Sequence, residues 1–225
     1  MRLGILGGTF NPIHLGHLRL AEELVAWLAL DRILFIPAGL PPLRPAGRVA
    51  SALHRYTMVA LAIAGRPRFF LSDAECGRPG PSYSVETVEE VRAGVGESAR
   101  LFFILGSDAF LRFSEWREPQ RLLKQTALVL VPRGAQALDP GAKDVAPIHA
   151  LLGRPRWVTL VSRSQGTSLE PGDVGVARVT SLPISAREIR RRVRVGESIQ
   201  GMVPATVEEY IQKHRLYREE PARSV

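Results

Sequence analysis

Cysteine is almost missing from this sequence of 225 residues: Cys76 stands alone, so no disulfide can close within the chain. Any metal site would have to be built from histidines, of which there are five, and carboxylates. The lone thiol fits a reducing compartment, and the cytoplasm is expected. No stretch is both long enough and apolar enough to cross a bilayer, so no membrane role is expected. The opening Met-Arg-Leu-Gly-Ile-Leu-Gly-Gly reaches glycine after a few apolar residues and lacks a signal peptide's hydrophobic region, which argues against secretion. Lysine is scarce as well, with only Lys124, Lys143 and Lys213, so arginine supplies nearly all of the net charge of +8.

That charge favours a polyanionic substrate or partner. A nucleic-acid binder would interleave basic and aromatic residues on one face, yet aromatics make up 7% of the chain. The arginines are scattered, except for Arg187, Arg190, Arg191, Arg192 and Arg194. No nucleic-acid partner is expected, and a small anionic substrate fits better. Association into a homo-oligomer stays open.

What the sequence does have is alternation. Short apolar runs bounded by glycine or proline, at Leu3 to Leu6, Arg32 to Ile36, Phe69 to Leu71, Leu101 to Leu105, Leu128 to Val131 and Val158 to Val161, read as buried parallel strands. Segments of helical length and period separate them, at Leu15 to Leu28, Ala52 to Ala64, Ser84 to Ala93 and Pro119 to Lys124. An α/β fold with a doubly wound parallel sheet follows, with its ligand crevice at the carboxyl ends of the strands. Gly134 to Arg156, rich in Gly, Pro and Ala, reads as a surface loop or a poorly ordered insertion. Two further helices are expected in the tail. Ser185 to Val193 has Ser185 as N-cap, and Pro204 to His214 has its proline in the first turn. The expected division is a nucleotide-binding domain at 1–182 and a small helical subdomain at 183–225.

The most informative segment, Gly7-Gly8-Thr9-Phe10-Asn11-Pro12-Ile13-His14-Leu15-Gly16-His17, lies between the first strand and the first helix. Gly7 and Gly8 carry no Cβ, so a phosphate can approach the backbone, and Gly16 keeps the first helical turn small. His14 and His17 are three apart. On a helix that spacing puts both imidazoles on one face at the positive end of the dipole, where each can donate an N–H to a phosphate oxygen. Two other readings compete. The glycines can be a simple tight turn, since their spacing matches neither a dinucleotide fingerprint nor a P-loop, and the histidines can be zinc ligands, although no third ligand is evident nearby.

This segment resembles the signature of the H-x-G-H nucleotidyltransferase superfamily, and within it the bacterial nicotinate-mononucleotide adenylyltransferases. Further blocks resemble the same family in order: Pro37 with Pro41-Pro42, Gly80-Pro81-Ser82-Tyr83-Ser84 through Thr87, Phe103 to Asp108, Trp116, and Ile184-Ser185 with Ile189-Arg190. The resemblance implies a Rossmann-like nucleotidyltransferase fold. It also implies in-line transfer of AMP from ATP to nicotinate mononucleotide, assisted by Mg²⁺, giving deamido-NAD and pyrophosphate. His14 and His17 would then be catalytic. ATP would be held by Gly7, Gly8, Thr9, Phe10, His14, His17, Arg44, Gly106, Asp108, Ser185 and Arg190. Nicotinate mononucleotide would be held by Ser82, Tyr83, Ser84, Trp116 and Arg117. No protein-held metal is expected.

Alternatives remain at several of these positions. Asp108 can be an N-cap for a helix starting at Ala109, and Trp116 can be core, because Phe110, Phe113 and Trp116 recur at helical spacing. Arg187, Arg191, Arg192 and Arg194 read as a solvated face. Three positions depart from the family pattern. Leu43 replaces the usual histidine, with Arg44 beside it as compensation; Asn11 stands where many members carry Asp; and Arg187 stands where a small hydroxyl residue is usual. Relatives acting on nicotinamide mononucleotide or phosphopantetheine, and a nucleotide-binding regulator without catalysis, are the competing functions.

Overall fold

Strand β1 (Arg2–Gly8) is apolar from Leu3 to Leu6 and sits in the middle of a parallel sheet, between β2 (Arg32–Pro37) and β4 (Arg100–Gly106). The computed structural model describes residues 1–39, 49–132, 141, 145–153, 155–162 and 168–218. With β3 (Phe69–Leu71), β5 (Thr126–Val131), β6 (Trp157–Leu160) and β7 (Val174–Ala177), the sheet has seven strands in the order β3-β2-β1-β4-β5-β7-β6. Every pairing in it is parallel. The strand order reverses between β1 and β4, which opens a crevice beyond their carboxyl ends.

Successive strand residues face opposite sides of a sheet, and the two cores follow that alternation. Leu6, Ile33, Phe35, Phe102, Ile104 and Val129 pack with helices α1 (Leu15–Trp27) and α2 (Ala52–Ile63). Leu3, Ile5, Ile36, Leu101, Phe103 and Leu128 pack on the other face with α3 (Ser84–Val95) and α5 (Pro119–Gln125). Between β4 and α5 lie the short helix α4 (Ser107–Phe110) and a 3-10 turn, Phe113–Glu115. The tail adds α7 (Ala186–Val195) and α8 (Ala205–Lys213), whose Ile189, Val207 and Ile211 join the α1/α2 core. Ser185 is the N-cap of α7, its Oγ accepting from the Glu188 N–H at 3.2 Å. Pro204 is the N-cap of α8 and lies one position before its first turn.

Two expectations need correction. The stretch Gly134 to Arg156, read as loop, contains helix α6 (Ala146–Leu152), with Val145 and Ile148 buried. Its proline falls in the first turn and Gly153 closes it at φ 63°, so residues taken as breakers act as helix punctuation. Strand β7 was not anticipated at all. It holds Gly175, where a Cβ would lie 2.8 Å from Leu160 Cδ1 and 2.9 Å from Leu169 Cδ1, so a larger residue would have to displace those side chains.

Candidate active site

At the reversal point a cleft of about 820 Å³ opens between the ends of β1, β4 and β5 and the start of α7. Gly7, Gly8, Thr9, Phe10, His14 and His17 line it from one side, and Gly106, Ser185, Arg187 and Arg190 from the other. A Cβ on Gly7 would meet nothing within 4 Å, so the absent side chain leaves open space at the strand end. A Cβ on Gly16 would lie 3.0 Å from His14 Nδ1, so a side chain there would press on the histidine ring.

His14 is not helical. It is the N-cap of α1, at φ −148° and ψ 169°, and His17 occupies the third helical position. The two rings still meet, stacked with centroids 3.7 Å apart at 30°. The His14 backbone N–H donates to His17 Nδ1 at 3.2 Å. With Nδ1 accepting, the neutral His17 ring carries its proton on Nε2 and offers that N–H as a donor. Phe10, at φ 44° and 3% exposed, presses edge-on against His17 at 5.2 Å. Its side chain is therefore a support for the imidazole, and only its backbone can reach a ligand.

Other expected residues fall unevenly. Asp108 lies in the first turn of α4 and is exposed; the N-cap there is Gly106, so the capping reading of Asp108 is wrong. The solvated-face reading holds for Arg191 and Arg192, which pair with Glu188 and Glu197 and hold the Glu188 carboxyl at about 2. Arg187 is exposed as well, and it also lies at the cleft, one helical turn from Arg190. Arg44 and Leu43 lie outside the described residues. Ser82, Tyr83, Ser84, Trp116 and Arg117 do not line this cleft; within the set, the Arg117 guanidinium stacks 4.7 Å above the Tyr83 ring. Trp116 is half-buried, edge-on to Phe103 at 6.0 Å and 5.2 Å from Phe113, which places it at the margin of the core. Ser82 Oγ is buried without a hydrogen-bond partner among the described residues, the kind of orphan that a ligand satisfies.

Sequence reasoning missed Arg55. It is 1% exposed, and its guanidinium donates to the carbonyls of Ala50 (2.9 Å), Thr9 (2.9 Å), Ala38 (2.5 Å) and Gly39 (2.7 Å). Burial lowers its pKa. One buried cation thus ties the glycine loop to the segment after β2. The signal was present: Arg55 stands on the same stripe of α2 as buried Met58, Val59 and Ala62, where a charge has no reason to be unless it is satisfied.

Among the described residues the cleft lining contains two arginines, two histidines and no carboxylate, so its field suits a polyanion. The same donor set does not fit a resident hard cation, which takes oxygen ligands. Among the described residues no group of three His, Cys, Asp or Glu could hold a metal. Asn11, which stands where many members of the family carry Asp, spends its Oδ1 on the Ala50 N–H (3.1 Å) and the Tyr217 hydroxyl (2.9 Å). No helix among the described residues is long and apolar enough to cross a membrane.

Residues 5–192 match the family model described as cytidylyltransferase-like. A protein of Pelobacter propionicus named "Probable nicotinate-nucleotide adenylyltransferase" is 43% identical over 98% of this chain and 100% of its own length. A protein of Geotalea daltonii with the same name is 40% identical over 97% of this chain and 99% of its own. Among solved structures, Plasmodium falciparum nicotinic acid mononucleotide adenylyltransferase complexed with NaAD superposes with a TM-score of 0.70 at 18% identity, covering 96% of this chain and 97% of that one. At that identity the superposition speaks for the fold.

Proposed function

This chain belongs to the cytidylyltransferase-like family, and within it to the nicotinate-nucleotide adenylyltransferases, and from that premise we propose that it transfers AMP from ATP to nicotinate mononucleotide. The products are nicotinate adenine dinucleotide and pyrophosphate. The observation that carries this reading is the cleft at the β1/β4 reversal, whose described lining brings two stacked imidazoles together with two arginines. A 5′-phosphate oxygen of the mononucleotide attacks the α-phosphorus of ATP, the bond to the β-phosphate bridging oxygen breaks, and the electron pair leaves with pyrophosphate. Such chemistry needs positioning and charge stabilisation rather than a nucleophilic side chain. His14 and His17 donate to the triphosphate as its charge redistributes. Arg190 and Arg187 meet the departing phosphates, and the Gly7-Gly8 backbone lets them come close. Asp108 accepts from ribose hydroxyls of ATP. Mg²⁺ enters on the triphosphate as part of the co-substrate, where it supplies charge neutralisation. On this reading residues 1–182 form the nucleotidyltransferase domain, and the helical subdomain, 183–225, supplies Ser185, Arg187 and Arg190.

The test is direct: incubation with ATP, Mg²⁺ and nicotinate mononucleotide releases pyrophosphate, and no release under any ratio of the two substrates refutes the reading. The mononucleotide site is assigned to Ser82, Tyr83, Ser84, Trp116 and Arg117, with Trp116 stacking on the pyridine and backbone N–H groups near Ser84 and Arg117 meeting its carboxylate. An amide would turn its NH₂ toward those donors, and one unpaired buried donor costs about 1–3 kcal/mol, about 5- to 150-fold in selectivity. The expected result is that kcat/KM for the acid exceeds that for the amide by a factor in this range. Equal values, or preference for the amide, would remove the assignment. Trp116→Ala raises KM for the mononucleotide and leaves the fold intact; an unfolded Trp116→Ala returns Trp116 to the core.

A further inference from the structure

The tail of the chain reaches back into the loop that opens the cleft. The Tyr217 hydroxyl donates to Asn11 Oδ1 at 2.9 Å, across 206 positions of sequence. Asn11 is 2% exposed, and its backbone carbonyl accepts from Arg190 Nη1 at 2.6 Å. Asn11 therefore stands between two residues that come from opposite ends of the helical tail, and one of them, Arg190, lines the cleft while Tyr217 does not.

We propose that Tyr217 is a positioning residue for triphosphate binding: its hydroxyl fixes Asn11, and Asn11 holds the guanidinium of Arg190 at the cleft. This rests on the reading of the cleft as an ATP site. Three features support it beyond the contact itself. Tyr217 and Arg215 hold left-handed backbone, at φ 65° and 51°, a conformation that non-glycine residues adopt at an energetic cost and keep only where surrounding contacts enforce it. The phenol's pKa is raised by burial, against the opposing pull of Arg190 and Arg55, so the hydroxyl remains a donor throughout the physiological range. Finally, the Ala50 N–H donates to the same Oδ1 at 3.1 Å, so the Asn11 side chain is held from two directions, and loss of the Tyr217 hydroxyl leaves it with one.

Tyr217→Phe removes one oxygen and keeps the ring that packs against the core. The expected effect is a rise of about 2- to 10-fold in the dissociation constant for ATP, measured by calorimetry without mononucleotide, the range set by loss of one hydrogen bond. KM for ATP rises in parallel, while KM for nicotinate mononucleotide stays at the wild-type value. The decisive measurement is the double-mutant cycle with Arg190→Ala. If Tyr217 acts through Arg190, Tyr217→Phe has no further effect on ATP affinity once Arg190 is gone. Additive losses, an unchanged dissociation constant in the single variant, or a Tyr217→Phe chain that fails to fold would each overturn the proposal and leave the cleft assignment standing. Wild-type protein that binds no ATP would overturn the cleft assignment and this proposal with it.

Discussion

Replacing His17 with alanine lowers kcat by roughly 10²–10³-fold, the loss that accompanies removal of one preorganised donor from a site of developing charge. The reason lies in the geometry of the stacked pair. His17 Nδ1 is occupied by the His14 backbone N–H, so the neutral ring directs its remaining N–H from Nε2, and the Phe10 edge keeps the imidazole from turning. The donor is thus fixed before substrate arrives and costs no reorganisation during the reaction. Alanine also strips the His14 N–H of its acceptor, but His14 lines the cleft, where water can replace what is lost, so the melting temperature should move little. His17→Asn, with a side-chain amide at hand, recovers part of the lost rate. The measurement is turnover at saturating substrates alongside a thermal melt. Near wild-type kcat in purified His17→Ala would end the claim that the pair stabilises the transferring phosphate.

Arg55→Met is expected to cost about 3–5 kcal/mol of stability, although it replaces a charged residue by an apolar one of similar length. Its guanidinium is surrounded by the carbonyls of Thr9, Ala38, Gly39 and Ala50, and no carboxylate stands among these partners. Removing the cation leaves four acceptors facing an apolar side chain, and each buried group that finds no other donor costs about 1–3 kcal/mol. Water that enters the gap returns part of that sum, which is why the expected loss is smaller than four full penalties. Arg55→Lys retains the charge and three donors but not the planar fork, so it recovers a fraction of the loss. Urea unfolding reads this as a drop in midpoint at constant slope. A loss below about 1 kcal/mol would mean that the carbonyls find other partners and that the loop does not depend on Arg55. Because Thr9 is one of the four, the folded fraction of Arg55→Met should also bind ATP more weakly.

Both residues were unequally visible beforehand. His17 sits in a motif whose glycines, imidazoles and position after a strand each point to phosphate. Arg55 sits in an ordinary helix, and only its place on the apolar stripe of α2 marks it. The same contrast holds for α7. Arg187 and Arg191 are alike in sequence, four apart on one helix, yet Arg187 lies at the cleft and Arg191 lies between Glu188 and Glu197. Which arginine faces a substrate depends on where the helix docks, and nothing in its own residues records that.

The sequence by itself determined the alternation of strands and helices, since buried parallel strands must be apolar on both faces and the glycines that bound them are local signals. It also determined the phosphate loop, because the backbone approach at Gly7 and the packing at Gly16 are requirements on single residues. Only the tertiary structure decided the rest. Strand β7 is defined by its parallel pairing between β5 and β6, with Gly175 close beneath Leu160 and Leu169, and helix α6 is held by the burial of Val145 and Ile148. The junction of Arg55, Asn11, Arg190 and Tyr217 gathers residues from four distant parts of the chain through hydrogen bonds to main-chain and amide oxygens. Main-chain acceptors are common to every residue and the one amide acceptor, Asn11 Oδ1, lies 206 positions from its Tyr217 donor, so folding alone brings the donors within reach.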